Sequence, residues 1–364
     1  MDRRQFLTAG AVAGLSLAAC ARTERAPTTP MSSPTSARPG PEAPRVSTVA
    51  DGLDVPWAIA FLRDGSALVT QRDDATIAHV SPDGTVAIVG DVSGVAPRGE
   101  GGLQGIAIAP GDESAVFVYY TSEDDNRLVR MEFDGRRVTS ARPLLTGLGA
   151  AYNHHGGAIG FGPDGRLYVA VGDAAQRDVA QDLRELNGKI LRLGPDGRPP
   201  SDNPFGNEIW SYGHRNVEGL AFDGAGRLWA SEFGQDDEDE LNLIRRGGNY
   251  GWPEMEGRTM RTRGTADPGF IAPALTWTTD EASPAGLAIV GTTAYVAALR
   301  GRRLWRVPLD GDTAGPPTAM LTGRHGRLRA VAAAPDGSVW ISTSNTDGRG
   351  RPDERDDRIL QLTV

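Results

Sequence analysis

Apolar and polar positions recur along the chain as one repeated phrase, in which an apolar run, a tight turn and a second apolar run follow one another. The six copies are AIAFLRDGSALVTQR from Ala58, GIAIAPGDESAVFVYYT from Gly105, AIGFGPDGRLYVAVGD from Ala158, GLAFDGAGRLWASEFG from Gly219, GLAIVGTTAYVAALR from Gly286 and AVAAAPDGSVWISTS from Ala330. Short strands and Asp-Gly turns at this spacing, without helical periodicity, are typical of a β-propeller. The pattern therefore predicts an all-β fold, a six-bladed β-propeller of four-stranded antiparallel blades.

A second strand pair follows each of the first five phrases and would complete a blade. These segments begin at Thr76, Arg127, Lys189, Glu240 and Arg303. The sixth copy is followed by a single strand, RILQLTV from Arg358. We expect RVSTVADGL from Arg45 to supply the missing strand and to close the ring, so that the propeller accounts for residues 45–364.

The first 20 residues have the pattern of an export signal. Arg3 and Arg4 precede an apolar stretch that is too short to span a bilayer and that ends in Leu-Ala-Ala-Cys20. The segment resembles a twin-arginine signal joined to a bacterial lipobox. We therefore expect a protein exported to the cell envelope, either lipid-anchored through Cys20 on the outer face of the membrane or periplasmic. Residues 21–44, rich in Pro, Ser and Thr, predict a flexible tether.

Composition narrows the choice of partners. The formal net charge is −9 and the pI is about 5.2, so the chain has no basic footprint for nucleic acid. Cys20 is the only cysteine, which excludes a disulfide within the chain.

Strand alternation predicts which loops share a face of the ring. The turns between first and second strands lie on one face, and the segments before the first strand and after the second lie on the other, beside the central channel. The polar residues at these positions are Glu100, Gln104, Asn153, His154, His155, Asp173, His214, Arg215, Asn216, the acidic loop 232–240, Arg300, Arg327 and Arg329. Their convergence predicts one binding site on one face.

The residue types indicate what this cluster can do. His154 is the natural general base, because an imidazole titrates near neutral pH. Arg215 and Asn216 can polarise a carbonyl or hold an anion, and several arginines around one pore favour a ligand with carboxylates or phosphates. The acidic run from Asp236 suits Ca²⁺ but equally a solvated loop.

At these residues the chain resembles the soluble sugar dehydrogenases that use pyrroloquinoline quinone (PQQ), the glucose/sorbosone dehydrogenase family of six-bladed propellers. The motifs that carry the resemblance are HHGGAIGFGPDGRLYVAVGD from His154, GHRNVEGLAF from Gly213, SEFGQDDEDELNLIRRGGNYGWP from Ser231, GRLRAVAAAPDG from Gly326 and TSNTDGRGRPDERDDRIL from Thr343. The resemblance implies an enzyme that oxidises the C1 hydroxyl of aldose sugars to lactones with PQQ and Ca²⁺ and reduces an external electron acceptor.

The resemblance also implies residue roles. The histidine at His154 would deprotonate the sugar, Arg215 and Asn216 would contact quinone oxygens, and the arginines at Arg327 and Arg329 would bind quinone carboxylates or place the sugar. The remaining roles are Ca²⁺ binding by the carbonyls of Gly234 and Gln235, a structural Ca²⁺ at Glu240 and Tyr250, and an aromatic contact near the substrate at Trp277.

Four positions depart from the best-known members of that family. Glu100 replaces a Gln, Asn153 an Asp beside the base, Gln235 a Pro and Arg300 a Lys that reaches the quinone. Arg300 and Glu100 remain candidate cofactor contacts, and Asn153 a candidate substrate contact. An amide at Asn153 cannot stabilise an imidazolium as a carboxylate does, and Glu100 is the candidate for replacing that charge.

Two other functions remain open on the residues alone. A calcium-dependent lactonase also uses six blades, but its metal site needs Glu, Asn and Asp side chains where arginines dominate here. A non-catalytic propeller that binds carbohydrate or protein is the other alternative, since a fold does not determine a function.

Overall fold

The computed structural model describes residues 44–261 and 269–363, and their strands form six antiparallel sheets. The first three blades, each numbered from its innermost strand outward, are Pro56–Phe61, Ala67–Gln71, Thr76–Val80 and Val86–Asp91; Leu103–Ala109, Asp112–Thr121, Asn126–Phe133 and Val138–Leu148; and Gly156–Phe161, Leu167–Val171, Lys189–Leu193 and Ile209–Tyr212. The predicted six-bladed β-propeller is confirmed.

Blades 4 to 6 complete the ring. They comprise Val217–Phe222, Leu228–Glu232, Glu238–Ile244 and Leu275–Thr278; Pro284–Val290, Thr293–Ala298 and Arg303–Asp310, whose third strand pairs with both Thr313–Ala314 and Thr318–Met320; and Leu328–Ala333, Val339–Thr343, Ile359–Thr363 and Arg45–Ala50. The predicted ring closure is confirmed, because Arg45 pairs with Thr363 and Thr48 with Leu360.

Blade 4 differs from the expected wiring. Its outer strand is Leu275–Thr278 and not the segment directly after Ile244. The intervening chain contains a short hairpin, Met255–Glu256 with Thr259–Met260. A 3₁₀ helix, Arg177–Gln181, is the corresponding addition to blade 3. Both additions contribute side chains that contact the candidate site.

The residues that open the six repeated phrases line the central channel. A cavity of about 110 Å³ is bounded there by residues that include Ala58, Gly105, Ala158, Gly219, Gly286 and Ala330. A Cβ atom at Gly105 would lie 2.1 Å from the carbonyl oxygen of Gly157, and one at Gly219 would lie 2.5 Å from that of Ala285. The phrases therefore open on small residues because the inner strands of neighbouring blades converge at the axis.

The apolar core is divided among the blade interfaces. Each of six buried clusters joins two neighbouring blades, for example Leu68 and Ile77 of blade 1 with Val118 and Val129 of blade 2. The sixth cluster joins the last blade to the first through Trp340. Because every central strand is covered on both faces, its residues are apolar almost throughout.

The predicted signal peptide, residues 1–20, and most of the predicted tether, residues 21–44, lie outside the described residues. Among the described residues no helix is long and apolar enough to cross a membrane.

Candidate active site

His154 lies at the channel mouth, in the loop before the inner strand of blade 3, and Asp173 orients its imidazole. The Nδ1 atom is 2.7 Å from Oδ1 of Asp173, whose side chain is fully buried. The indole Nε1 of Trp252 donates to the other carboxylate oxygen at 2.8 Å. A carboxylate at Nδ1 selects the tautomer with the proton on that nitrogen and leaves Nε2 as a proton acceptor. No described residue forms a hydrogen bond with Nε2.

The backbone around His154 is held in an uncommon conformation. His154 has a φ of 62°, in the left-handed region. Its carbonyl would lie 2.0 Å from a Cβ atom at Gly172, so only glycine fits next to Asp173. Such a conformation persists where surrounding contacts enforce it, which is common at functional sites.

Glu100 holds the main chain of His154 and not its ring. Its Oε2 accepts the His154 backbone N–H at 3.1 Å, and its Oε1 accepts from Arg349 at 3.0 Å. Burial raises the pKa of Glu100, but these two contacts outweigh it and leave the pKa below its usual value. The imidazole's carboxylate is therefore Asp173, and the expectation that Glu100 replaces a charge lost at Asn153 is wrong.

Arg215 is a buried cation without an ionic partner among the described residues. Its guanidinium lies over the ring of Trp252 at 5.5 Å and donates to the carbonyl of Phe233 at 3.3 Å. Its Nε atom is buried and makes no hydrogen bond. Burial lowers the pKa of Arg215 despite the attraction of nearby carboxylates. An uncompensated guanidinium here is prepared to meet an anion or a charge that develops during a reaction.

Asn216 and Arg329 share one carboxylate. Glu218 accepts from Asn216 Nδ2 at 2.9 Å and from Arg329 Nη1 at 2.8 Å. The Oδ1 of Asn216 in turn accepts the backbone N–H of Gly156, the first residue of the blade 3 inner strand. Blades 3, 4 and 6 are thus joined by hydrogen bonds beneath the channel mouth.

Arg327 and Arg300 line a cavity of about 690 Å³ between blades 5 and 6. Arg327 is mostly buried and bonds Asp347 at 2.9 Å, whereas Arg300 is exposed and pairs with Asp280. Seven arginines line this cavity against only two carboxylates: Arg300, Arg302, Arg324, Arg327, Arg349, Arg351 and Arg358, with Asp353 and Asp356. The cavity is therefore electropositive in a chain whose net charge is negative.

The acidic loop of blade 4 is folded around one glutamate. The backbone N–H groups of residues 235–237 donate to Glu256 Oε1 at 2.7–2.9 Å. Gly234 donates to Asp239, and its Cβ would lie 1.8 Å from the carbonyl of Glu238. No described residue donates to the carbonyls of Gly234 and Gln235, so these oxygens are free to bind a cation.

Glu240 and Tyr250 lie in the same part of blade 4. Glu240 accepts from Gly257 N and from Asn242 Nδ2, and Asn242 also donates to Glu232. Burial, together with the charge of Glu232, raises the pKa of Glu240 to about 8. Tyr250 donates to the carbonyl of Leu243 at 2.7 Å. The described residues contain no group of three or more His, Cys, Asp or Glu side chains arranged around a metal position.

Two predicted substrate contacts occupy different surroundings. Trp277 is buried in the apolar interface of blades 4 and 5, where its ring stacks on Trp305 at 5.9 Å. Asn153 is half-buried beside His154. The structure thus brings His154, Arg215 and Asn216 together and places Trp277 within a blade interface.

Comparison with known proteins supplies the class. The model of the Glucose / Sorbosone dehydrogenase family matches residues 53–352. The chain belongs to this family. The aldose sugar dehydrogenase YliI of Escherichia coli is 30% identical to it over 342 residues, which cover 85% of this chain and 92% of that protein.

Solved structures of the family extend the comparison. The PQQ-bound aldose sugar dehydrogenase of Streptomyces coelicolor is 48% identical, with a TM-score of 0.82 over 88% of this chain and 98% of that one. The Thermus thermophilus protein described as a putative glucose dehydrogenase is 41% identical, also with a TM-score of 0.82, over 88% of this chain and 100% of that one.

Sequence reasoning left four contributors to the site without a role. Asp173 had a usable signal, since it follows the second strand of blade 3 on the site face. Glu218 follows the Arg-Asn motif by two residues, but its partner is 111 positions away. Trp252 and Glu256 lie in the excursion of blade 4, where the repeat gives no register.

Proposed function

We propose that this protein is a PQQ-dependent dehydrogenase that oxidises the C1 hydroxyl of aldose sugars to lactones and transfers the electrons to an external acceptor. Membership of the family and the PQQ-bound relative at 48% identity support this proposal. The observation that carries it is the His154–Asp173 pair at the same channel mouth as the unpaired Arg215. One group can remove a proton, and the other can oppose a negative charge.

The residues present suit an anionic quinone. PQQ carries several carboxylates, and the arginine-lined cavity offers the matching charge. The residues that would hold it are Glu100, Arg215, Asn216, Arg300, Arg327 and Arg329. When bound, the quinone would supply the oxidising power by accepting a hydride from the sugar carbon.

The proton of the reaction is handled by the chain itself. In this proposal Nε2 of His154 takes the proton of the sugar hydroxyl, and the Asp173 carboxylate stabilises the resulting imidazolium. Trp252 keeps Asp173 in place by donating to its second oxygen. Arg215 stays positively charged and opposes the negative charge that develops on the oxidant's side of the site.

Calcium fits the oxygen donors of blade 4. The free carbonyls of Gly234 and Gln235 are hard ligands of the kind Ca²⁺ binds, and the ion would act as a Lewis acid there. Glu240 and Tyr250 are proposed for a structural Ca²⁺, supported by the buried pair of Glu240 with Glu232, which lacks a full counter-charge.

The decisive experiment reconstitutes the apo-protein with PQQ and Ca²⁺ and follows dye reduction and quinone absorbance with a panel of mono- and disaccharides. We expect sugar-dependent reduction in the wild type, lost by about 10³-fold in His154→Gln. His79→Gln, far from the site, is the matched control. No reduction with any sugar, or lactone hydrolysis that needs Ca²⁺ but not PQQ, would overturn the proposal.

We further propose export to the cell envelope with a lipid anchor at Cys20, on the sequence of residues 1–20 alone. Cell fractionation of wild type and Cys20→Ser tests this. The anchor predicts that only the wild type is recovered with membranes, and equal recovery in the soluble fraction contradicts it.

A further inference from the structure

Glu218 occupies a position that the proposed chemistry does not use. It is the second residue of the blade 4 inner strand, borders the central channel and is 4% exposed. One oxygen accepts from Asn216 at 2.9 Å and the other from Arg329 at 2.8 Å. Arg329 belongs to blade 6, which is not adjacent to blade 4, so this carboxylate ties together two sides of the ring.

We propose that Glu218 is a positioning residue that orients Asn216 and cancels the charge of Arg329, so that Arg215 is the uncompensated buried cation facing the cofactor. The inference rests on the proposed function, since it concerns the residues that would surround the quinone. It assigns to one carboxylate the control of the net charge of the site.

The surroundings of the ion pair leave Arg329 with few other partners. Its guanidinium lies over Trp57 at 5.1 Å, and its Nε atom is buried without a hydrogen bond. Glu218 is the carboxylate that pairs with it among the described residues. Because both side chains are nearly inaccessible to solvent, water cannot screen the charge that would remain if one of them were neutralised.

The sign of the effect follows from electrostatics. Reduction of a quinone adds negative charge to its oxygens, and a nearby positive charge favours the reduced form. A neutral side chain at 218 leaves Arg329 uncompensated. The reduced cofactor is then stabilised relative to the oxidised one, and the midpoint potential rises.

Glu218→Gln isolates the charge, because glutamine keeps an oxygen that can accept from Asn216. We expect the equilibrium constant for reduction of the bound quinone to increase about tenfold, which corresponds to a rise of roughly 30 mV for a two-electron couple. The measurement is a spectroelectrochemical titration of the PQQ-loaded protein, accompanied by the Kd of PQQ for the apo-protein.

The double variant Glu218→Gln/Arg329→Met separates charge from packing. It removes both members of the pair and restores the original net charge, so we expect its potential to return towards that of the wild type. Asp164→Asn is the matched control, since Asp164 pairs with the buried Arg192 on the turn side of blade 3. This control is expected to lower the thermal midpoint without shifting the potential.

Two results would overturn the inference: a potential unchanged in Glu218→Gln, or equal shifts in the single and double variants. In both cases the wild type still binds PQQ and is reduced by sugar, so the proposed function survives. If the wild-type apo-protein binds no PQQ, the proposed function and this inference fail together.

Discussion

The two sides of the channel mouth use buried arginines in opposite ways. On the side of blades 3 and 4, Arg215 lies on Trp252 and has no carboxylate partner among the described residues. On the side of blade 6, Arg327 and Arg329 are each matched by a buried carboxylate, Asp347 and Glu218. Burial alone therefore does not identify a functional arginine in this arginine-rich chain. The missing counter-charge does.

The largest expected effect falls on the unpaired arginine. Arg215→Met removes the charge that would oppose the developing anion, and we expect kcat to fall by about 10²–10³-fold. The thermal midpoint should stay the same or rise, because a buried cation without a counter-charge is costly. Steady-state kinetics and a melting curve of the apo-protein measure the two effects. A variant that loses stability as well as activity would break the comparison.

On the paired side the expected loss is in stability. Asp347→Asn leaves Arg327 buried without a charged partner, which should lower the free energy of unfolding by about 3 kcal/mol. Burial raises the pKa of Asp347, but Arg327 and the backbone outweigh it, so the stabilisation is present at neutral pH and is lost as the pH falls through the depressed pKa.

The control for this prediction is Asp280→Asn, whose partner Arg300 is exposed. Denaturant titration at pH 7 should show a loss below about 1 kcal/mol for this variant. Similar losses in the two variants would show that burial does not distinguish the two pairs.

The adjacent histidines carry the same lesson at smaller scale. His155 contacts Asn126 and Thr121 but no carboxylate, and burial lowers its pKa to about 4. The unfolded chain therefore binds a proton between about pH 6.5 and pH 4 that the folded chain does not. Stability should fall as the pH drops through this window, by up to about 3 kcal/mol.

Denaturant titrations at pH 7, 5.5 and 4.5 measure this dependence. The comparison of wild type with His155→Gln isolates the contribution of His155, since the variant cannot take up that proton. An unchanged slope in the variant would assign the pH dependence to other groups.

The sequence predicted the features that strand alternation determines and failed where distance along the chain intervened. The repeat placed His154, Arg215 and Arg329 on one face because their offsets from the inner strands are equal. It could not predict that Glu218 pairs with Arg329 or that Trp252 reaches Asp173, since neither blade-to-blade distances nor side-chain directions are encoded in a period. Blade 4 was misjudged because about 30 residues interrupt its repeat before Leu275.

The pairing of Arg45–Ala50 with Ile359–Thr363 has a mechanical consequence. The two ends of the described chain lie side by side, so the ring is fastened by hydrogen bonds where every other junction between blades is covalent. Tension applied at residue 44 acts first on the Arg45–Thr363 pair and would open this seam one bond after another, as a zip opens. The junction that completes the circle is thus also the place where a pulling force begins to dismantle it.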